Sequence, residues 1–240
     1  MQLTSGRLAA VAIGIPVMLA TSAFGAFSLV GMFARTSEHH TASYAWQGDG
    51  AISVNASAGD VRIQVGTGTE VSVAYTEHYE LKKPTVTATS LNGGLQLSAK
   101  CAGGLYGNNC EINYVLTVPA DASLVLHTGD GDVQLSASTG TVSATTGAGD
   151  INGTQLLSKT VDASTGDGDV KLQWDVAPTK VGATTGNGDI NLVVPTGTAY
   201  SVSAHTGNGG THVNVPQDQS ATNSITASTG NGDITISPAS

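Results

Sequence analysis

The chain has 240 residues, 40% hydrophobic and only 11% charged, with 31 glycines and a formal net charge of −9. Past residue 35, seven Lys/Arg stand against eighteen Asp/Glu; such an acidic surface repels phosphate backbones and excludes nucleic acid as a partner. Helix formers never cluster in that region while Thr, Ser, Val and Gly recur, so long helices are excluded there and an all-β body of about 200 residues is expected.

From the N-terminus, residues 1–7 read as a short cytoplasmic segment. Residues 8–34 carry no charge over 27 positions, about 40 Å as a helix, which is enough to cross a bilayer with tilt. This predicts a transmembrane signal-anchor helix; Pro16 and the glycines are tolerable in such a setting. A cleaved signal peptide is the alternative, because Ala23-Phe24-Gly25 offers small residues at workable spacing. The apolar run nevertheless continues through Phe27, Leu29, Val30 and Phe33, beyond a normal signal core. One Arg on each side, Arg7 and Arg35, leaves the orientation to be decided elsewhere. Residues 35–50 read as a linker and 51–240 as a β-repeat ectodomain.

The ectodomain opens on a degenerate repeat, Val54, Ala56, Ala58-Gly59-Asp60-Val61 and Ile63, with a turn that reads two residues short. Strand patterns follow at 70–75, 85–89, 95–99 and 112–118, without the repeat motif, and are expected to cap or extend the same sheets. Between the last two stand Cys101 and Cys110, the only cysteines. A loop joining two strands brings its ends together, where a disulfide fits. The alternative is a pair of free thiols; a metal site lacks two further ligands at any usual spacing. A disulfide implies an oxidising compartment and so an extracytoplasmic body.

From residue 124 onward one motif returns six times, beginning Thr128-Gly129-Asp130-Gly131-Asp132-Val133, with first glycines spaced 18, 19, 20, 21 and 23 residues apart. Its flanks align as well, giving Val-x-Ala-x-Thr-Gly-x-Gly-Asp-Ile-x-Leu. Apolar residues alternate with polar ones on both sides of the Gly turn, which means two half-buried strands per repeat. Length varies only between repeats, as a stacked β-solenoid or β-helix-like array requires; a hairpin array is the rival architecture. The residue between the two glycines reads Asp, Ala, Asp, Asn, Asn, Asn, which suggests left-handed backbone there. The fifth copy departs from the motif at Gly210-Thr211.

Candidate functional residues are few. Asp132, Asp150, Asp169, Asp189 and Asp233 would form a ladder if the repeats stack, about 4.8 Å from rung to rung. Neighbouring carboxylates would then repel by roughly 1 kcal/mol in water. Hydrogen bonds to turn amides or a divalent cation such as calcium would relieve this, so a structural and a cation-binding reading both stand. His39, His40, His78, His127, His205 and His212 read as surface residues, and Trp46 and Trp174 as packing residues. Serines lack a nucleophile context, the Gly-x-Gly turns lead into strands rather than helices, and no acid-base set converges on one coil. No catalytic residue, metal-ligand set or cofactor is therefore predicted, which leaves little room for a polysaccharide-degrading enzyme.

The repeated Thr-Gly-x-Gly-Asp-[Ile/Val]-x-Leu units, the upstream apolar segment and the Cys110-Glu111-Ile112-Asn113-Tyr114 run before Val118-Pro119 resemble the bacterial "putative adhesin" family, also called the toast-rack domain. The resemblance spans approximately Ala51 to Ser237. It implies a β-solenoid-like ectodomain of unknown function, no established enzyme activity, and frequent links to envelope-stress signalling. No catalytic residues carry over. The expectation is a single-pass, non-catalytic interaction module that binds an unknown protein or glycan at the cell envelope. A stress sensor or scaffold acting through a membrane partner, and a protein secreted after cleavage, are the alternatives.

Overall fold

The computed structural model describes residues 36–48, 50–80, 82–91, 93–101 and 110–239. The expected membrane segment, 8–34, lies outside them. Every regular element among the described residues is a strand, nineteen in all.

Each motif copy forms two strands joined at a sharp corner. The six copies give β8 (Leu124–Asp130) and β9 (Val133–Ser136), β10 (Val142–Ala148) and β11 (Ile151–Leu156), β12 (Thr160–Asp167) and β13 (Val170–Trp174), β14 (Lys180–Asn187) and β15 (Ile190–Val194), β16 (Ser201–Asn208) and β17 (Thr211–Val213), and β18 (Ser224–Asn231) and β19 (Ile234–Pro238). Upstream lie β1 (Thr36–Ala45), β2 (Ile52–Ala58), β3 (Val61–Gly66), β4 (Glu70–Tyr79), β5 (Thr85–Leu91), β6 (Gly94–Lys100) and β7 (Glu111–Pro119). Residues 36–45, which read as linker, are thus a strand.

First strands of successive coils pair in parallel in one sheet and second strands in the other, so the stack is a two-sheet solenoid. The nine-stranded sheet runs β16-β18-β14-β12-β10-β8-β2-β6-β5, and the ten-stranded sheet runs β1-β4-β7-β3-β9-β11-β13-β15-β19-β17. Like residues fall in register: Leu124, Val142, Val161 and Val181 line one buried row, and Val133, Ile151, Val170 and Ile190 another. The core lies between the sheets and holds the buried rows of both. Ala144, Ala163, Ala183 and Ala227 form a fully buried row within it.

The degenerate upstream copy is a complete coil. Ile52 pairs with Leu124, Ala56 with Thr128 and Ala58 with Asp130, so Ser57 occupies the first glycine's place and the turn is not shortened. The two strands beside the cysteines do not pair with one another. β6 stacks on β2 and β7 on β3, so the cysteines stand between two strands of a further coil rather than of a hairpin. Outside that coil, β4 and β1 extend one sheet antiparallel and β5 extends the other.

Chain order and stacking order differ at the far end. β18 and β19 insert between the fourth copy and the fifth, leaving β16 and β17 outermost. The irregular fifth copy is therefore the terminal coil, and Val202, Ala204 and Val213 on its inner face are only partly covered. Within the stack, Gly153 stands where the other copies carry Leu, Val or Ile. A register shift at Gln155 (φ 53°) swings Leu156 into that space, where it is fully buried.

Candidate functional site

The corner of the coil, where the sequence is most repetitive, holds three ladders. The inner one is made by threonines. The hydroxyl of each motif Thr donates to the carbonyl of the second glycine on the preceding coil: Thr128 to Gly59, Thr146 to Gly131, Thr165 to Gly149, Thr185 to Gly168, Thr229 to Gly188 and Thr206 to Gly232, at 2.8–2.9 Å. Five of these side chains are buried, so each hydroxyl needs the bond it makes.

The middle ladder is made by the aspartates. Asp132 Oδ1 accepts the amide of Asp150, Asp150 that of Asp169, Asp169 that of Asp189, and Asp189 that of Asp233, each at 2.8 Å. Asp60 and Asn113 continue it at one end: Asn113 Oδ1 accepts from Asp60 N and Asp60 Oδ1 from Asp132 N. At the other end Asp233 accepts from Gly210 N at 2.7 Å. A charged acceptor bond contributes about 1.5–3 kcal/mol, against repulsion of about 1 kcal/mol between exposed neighbours, so the row is favourable overall. The terminal coil has no amide above it to satisfy, which is why Gly210 can replace Asp there.

The outer ladder occupies the position between the glycines. Asn187 Nδ2 donates to Asp167 Oδ1, Asn231 to Asn187 and Asn208 to Asn231, at 2.6–2.8 Å. Left-handed backbone is not the reason for Asx here; positive φ falls on the second glycine, as at Gly168 (148°). The selection is for a self-complementary side chain, and Ala148 keeps Asp130 and Asp167 apart.

Cys101 and Cys110 form a disulfide at the first coil's corner, with Cα atoms 5.7 Å apart. Trp174 is buried and donates to the Ser158 carbonyl at 3.1 Å. His127 and His205 sit on the sheet's outward face at opposite ends of the motif stack, five strand spacings or about 24 Å apart. His40 is not a simple surface residue: its Nε2 is shut off from solvent beside Glu38 and Glu77, a grouping of β1 and β4 that sequence spacing did not disclose.

The outward faces carry in-register polar rows. Arg62, Gln134, Asn152, Lys171 and Asn191 form one in-register row on the ten-stranded sheet, with Arg62 Nε donating to Gln134 Oε1 at 2.9 Å. On the other sheet Thr145, Ser164, Thr184 and Ser228 make a row of hydroxyls between His127 and His205.

Two solved structures are similar to this chain, the first of them closely enough to share its fold. One described as a "putative cell adhesion protein" from Clostridium sporogenes has a TM-score of 0.52 at 15% identity, over 85% of this chain and 100% of that one. Another, described as a "putative adhesin" from Bacteroides fragilis, has a TM-score of 0.47 at 13% identity, over 84% and 97%. The chain has no significant match among curated proteins. The Toastrack DUF4097 model matches residues 50–239, with the ladder corners inside that span. The chain is a member of the Toastrack DUF4097 family.

Proposed function

We propose that this protein is a membrane-anchored, extracytoplasmic and non-catalytic interaction module that presents its outward sheet faces to a glycan or protein of the cell envelope. The observation that carries the reading is the in-register row Arg62, Gln134, Asn152, Lys171 and Asn191. It repeats donors and acceptors at strand spacing on the outward face of the ten-stranded sheet. A repeating ligand, such as a polysaccharide chain, can meet such a row at several rungs at once. By contrast, the corner aspartates each commit one oxygen to a neighbouring amide, which favours their structural role over a calcium ladder. The uncharged 8–34 segment supports the anchor, and the Cys101–Cys110 disulfide supports an oxidising compartment for the body. The test is retention of the full-length chain on isolated envelope polysaccharide and on immobilised envelope proteins. Replacing Asn152 and Asn191 together by Glu, on either side of Lys171, should abolish retention while leaving the thermal midpoint in place; retention unchanged by the double substitution would refute a role for this face.

A further inference from the structure

β1 is the outermost strand of its sheet and pairs antiparallel with β4, so that Glu38 stands directly opposite Glu77. Like charges facing one another across a strand pair are destabilising, and Glu77 is only 2% exposed. A carboxylate so deeply placed requires a cation beside it. His40 lies two residues beyond Glu38 and therefore on the same face. Its Nε2 is 3.6 Å from Glu38 Oε2 and 3.7 Å from Glu77 Oε2. Both His40 Nε2 and Glu77 Oε2 are hidden from solvent and have no hydrogen-bond partner.

The surroundings hold these atoms in place. Tyr79 donates to Glu38 Oε1 at 2.6 Å, which turns the other oxygen, Oε2, toward the cluster. Tyr75 stacks on the His40 ring with centroids 4.8 Å apart, and Tyr114 packs behind Tyr75. One ligand atom from each of the three residues lies within 4.8 Å of the others. Two ligands at about 2.0–2.1 Å from a tetrahedral zinc ion lie about 3.3 Å from one another, so the carboxylate–imidazole separations require only small closure. The present counter-ion is Lys83, whose Nζ is 2.6 Å from Glu38 Oε2 and 3.4 Å from Glu77 Oε2. One ammonium balances one of the two carboxylates. Its side chain is 49% exposed and can swing into solvent.

We infer that Glu38, His40 and Glu77 form a binding site for a divalent transition-metal ion of the zinc type, which enters by displacing the Lys83 ammonium. Two carboxylate oxygens and one imidazole nitrogen suit such an ion, and three protein ligands leave a fourth position for water. Binding would clamp β1, the strand that follows the 8–34 segment, to the body of the solenoid. Glu38 and His40 precede the span that matches the family, residues 50–239, and Glu77 lies inside it.

The experiment uses the full-length chain in detergent, stripped with a chelator and titrated with zinc against a chromogenic competitor, with cobalt as a spectroscopic probe. One zinc per chain is expected, together with a cobalt d–d band. His40→Ala and Glu77→Gln should each weaken zinc by at least about tenfold and remove the band. Lys83→Met, which removes the competing ammonium while keeping all three ligands, should tighten zinc. Asp150→Asn in the corner ladder should leave stoichiometry and band unchanged. Absence of saturable zinc binding in both the native chain and Lys83→Met would overturn the inference, as would zinc binding indifferent to His40→Ala. If Glu77→Gln fails to fold, the His40→Ala and Lys83→Met arms decide alone.

Discussion

Asp150 Oδ1 accepts the backbone amide of Asp169 at 2.8 Å, one coil further along the stack. The bond ties the start of one second strand to the next through a side chain at the coil's corner, between the backbone bonds Gly149 N to Asp167 O and Ile151 N to Asp169 O.

Removing that acceptor should cost stability in proportion to what the amide loses. Asp150→Ala leaves the partly buried Asp169 amide without its partner, and a loss of about 1–3 kcal/mol is expected. Asp150→Asn keeps an acceptor oxygen and removes a like-charge neighbour, so its cost should stay below about 1 kcal/mol. Denaturant midpoints at constant slope measure both. Equal losses for the two variants would show that charge rather than the acceptor matters.

The ladder also predicts an acid response. The Lys171 ammonium, 2.8 Å from Asp169 Oδ2, and next the Asp189 amide hold the Asp169 carboxyl below its ordinary 3.8. Because the folded value is the lower one, this contribution is present above the ordinary aspartate range and disappears as pH falls through the depressed value. Lys171→Met should move the Asp169 titration upward toward its ordinary value, as read by carboxyl-carbon NMR. The same change at exposed Lys159 should leave it in place.

Two glycines separate crowding from backbone strain. Gly168 has φ 148°, and a Cβ there would run into the Gly149 carbonyl of the preceding coil. Gly168→Ala should therefore cost about 3 kcal/mol or more, combining strain with overpacking. Gly197 has φ 83° with nothing within 4 Å of an added Cβ. Gly197→Ala should cost only the left-handed penalty of about 1–2 kcal/mol. Thermal midpoints rank the pair; equal shifts would remove coil crowding as the reason for the motif's second glycine.

Gly153 and Leu156 should be coupled. A Cβ at Gly153 would lie 2.9 Å from Leu156 Cδ1 and 2.8 Å from Leu172 Cδ2. Leu156→Ala should cost about 2–5 kcal/mol by leaving a cavity, and Gly153→Leu alone about 1–3 kcal/mol by overpacking. The double variant should be more stable than Leu156→Ala alone, because the new leucine fills the space the old one vacates. A double-mutant cycle with no interaction energy would contradict the exchange.

Much of this was legible in the residues. Six copies of one motif at a period of about twenty specify two strands and a corner, because alternating burial and a Gly turn are local requirements. The pairing partner of each strand is not local. Nothing in the spacing of Asp189 and Asp233 announces that they are adjacent rungs, since the intervening copy lies outside both. The same limit hid the metal-type cluster: Glu38 and His40 stand in a polar stretch without apolar alternation, and Glu77 is 37 residues beyond His40. Only the antiparallel pairing of β1 with β4 brings the three together.

The sequence by itself determined the repeating corner and its rows of Thr, Asx and Asp, since identical residues at fixed places in every copy must stack once the copies do. Tertiary structure decided which copy meets which, and thereby the meaning of the exceptions. Gly210 replaces Asp because its coil is the last, Ser57 replaces Gly in an intact coil, and Leu156 fills the space left by Gly153. Each exception depends on what lies one strand away, about 4.8 Å in space and as many as 72 positions along the chain.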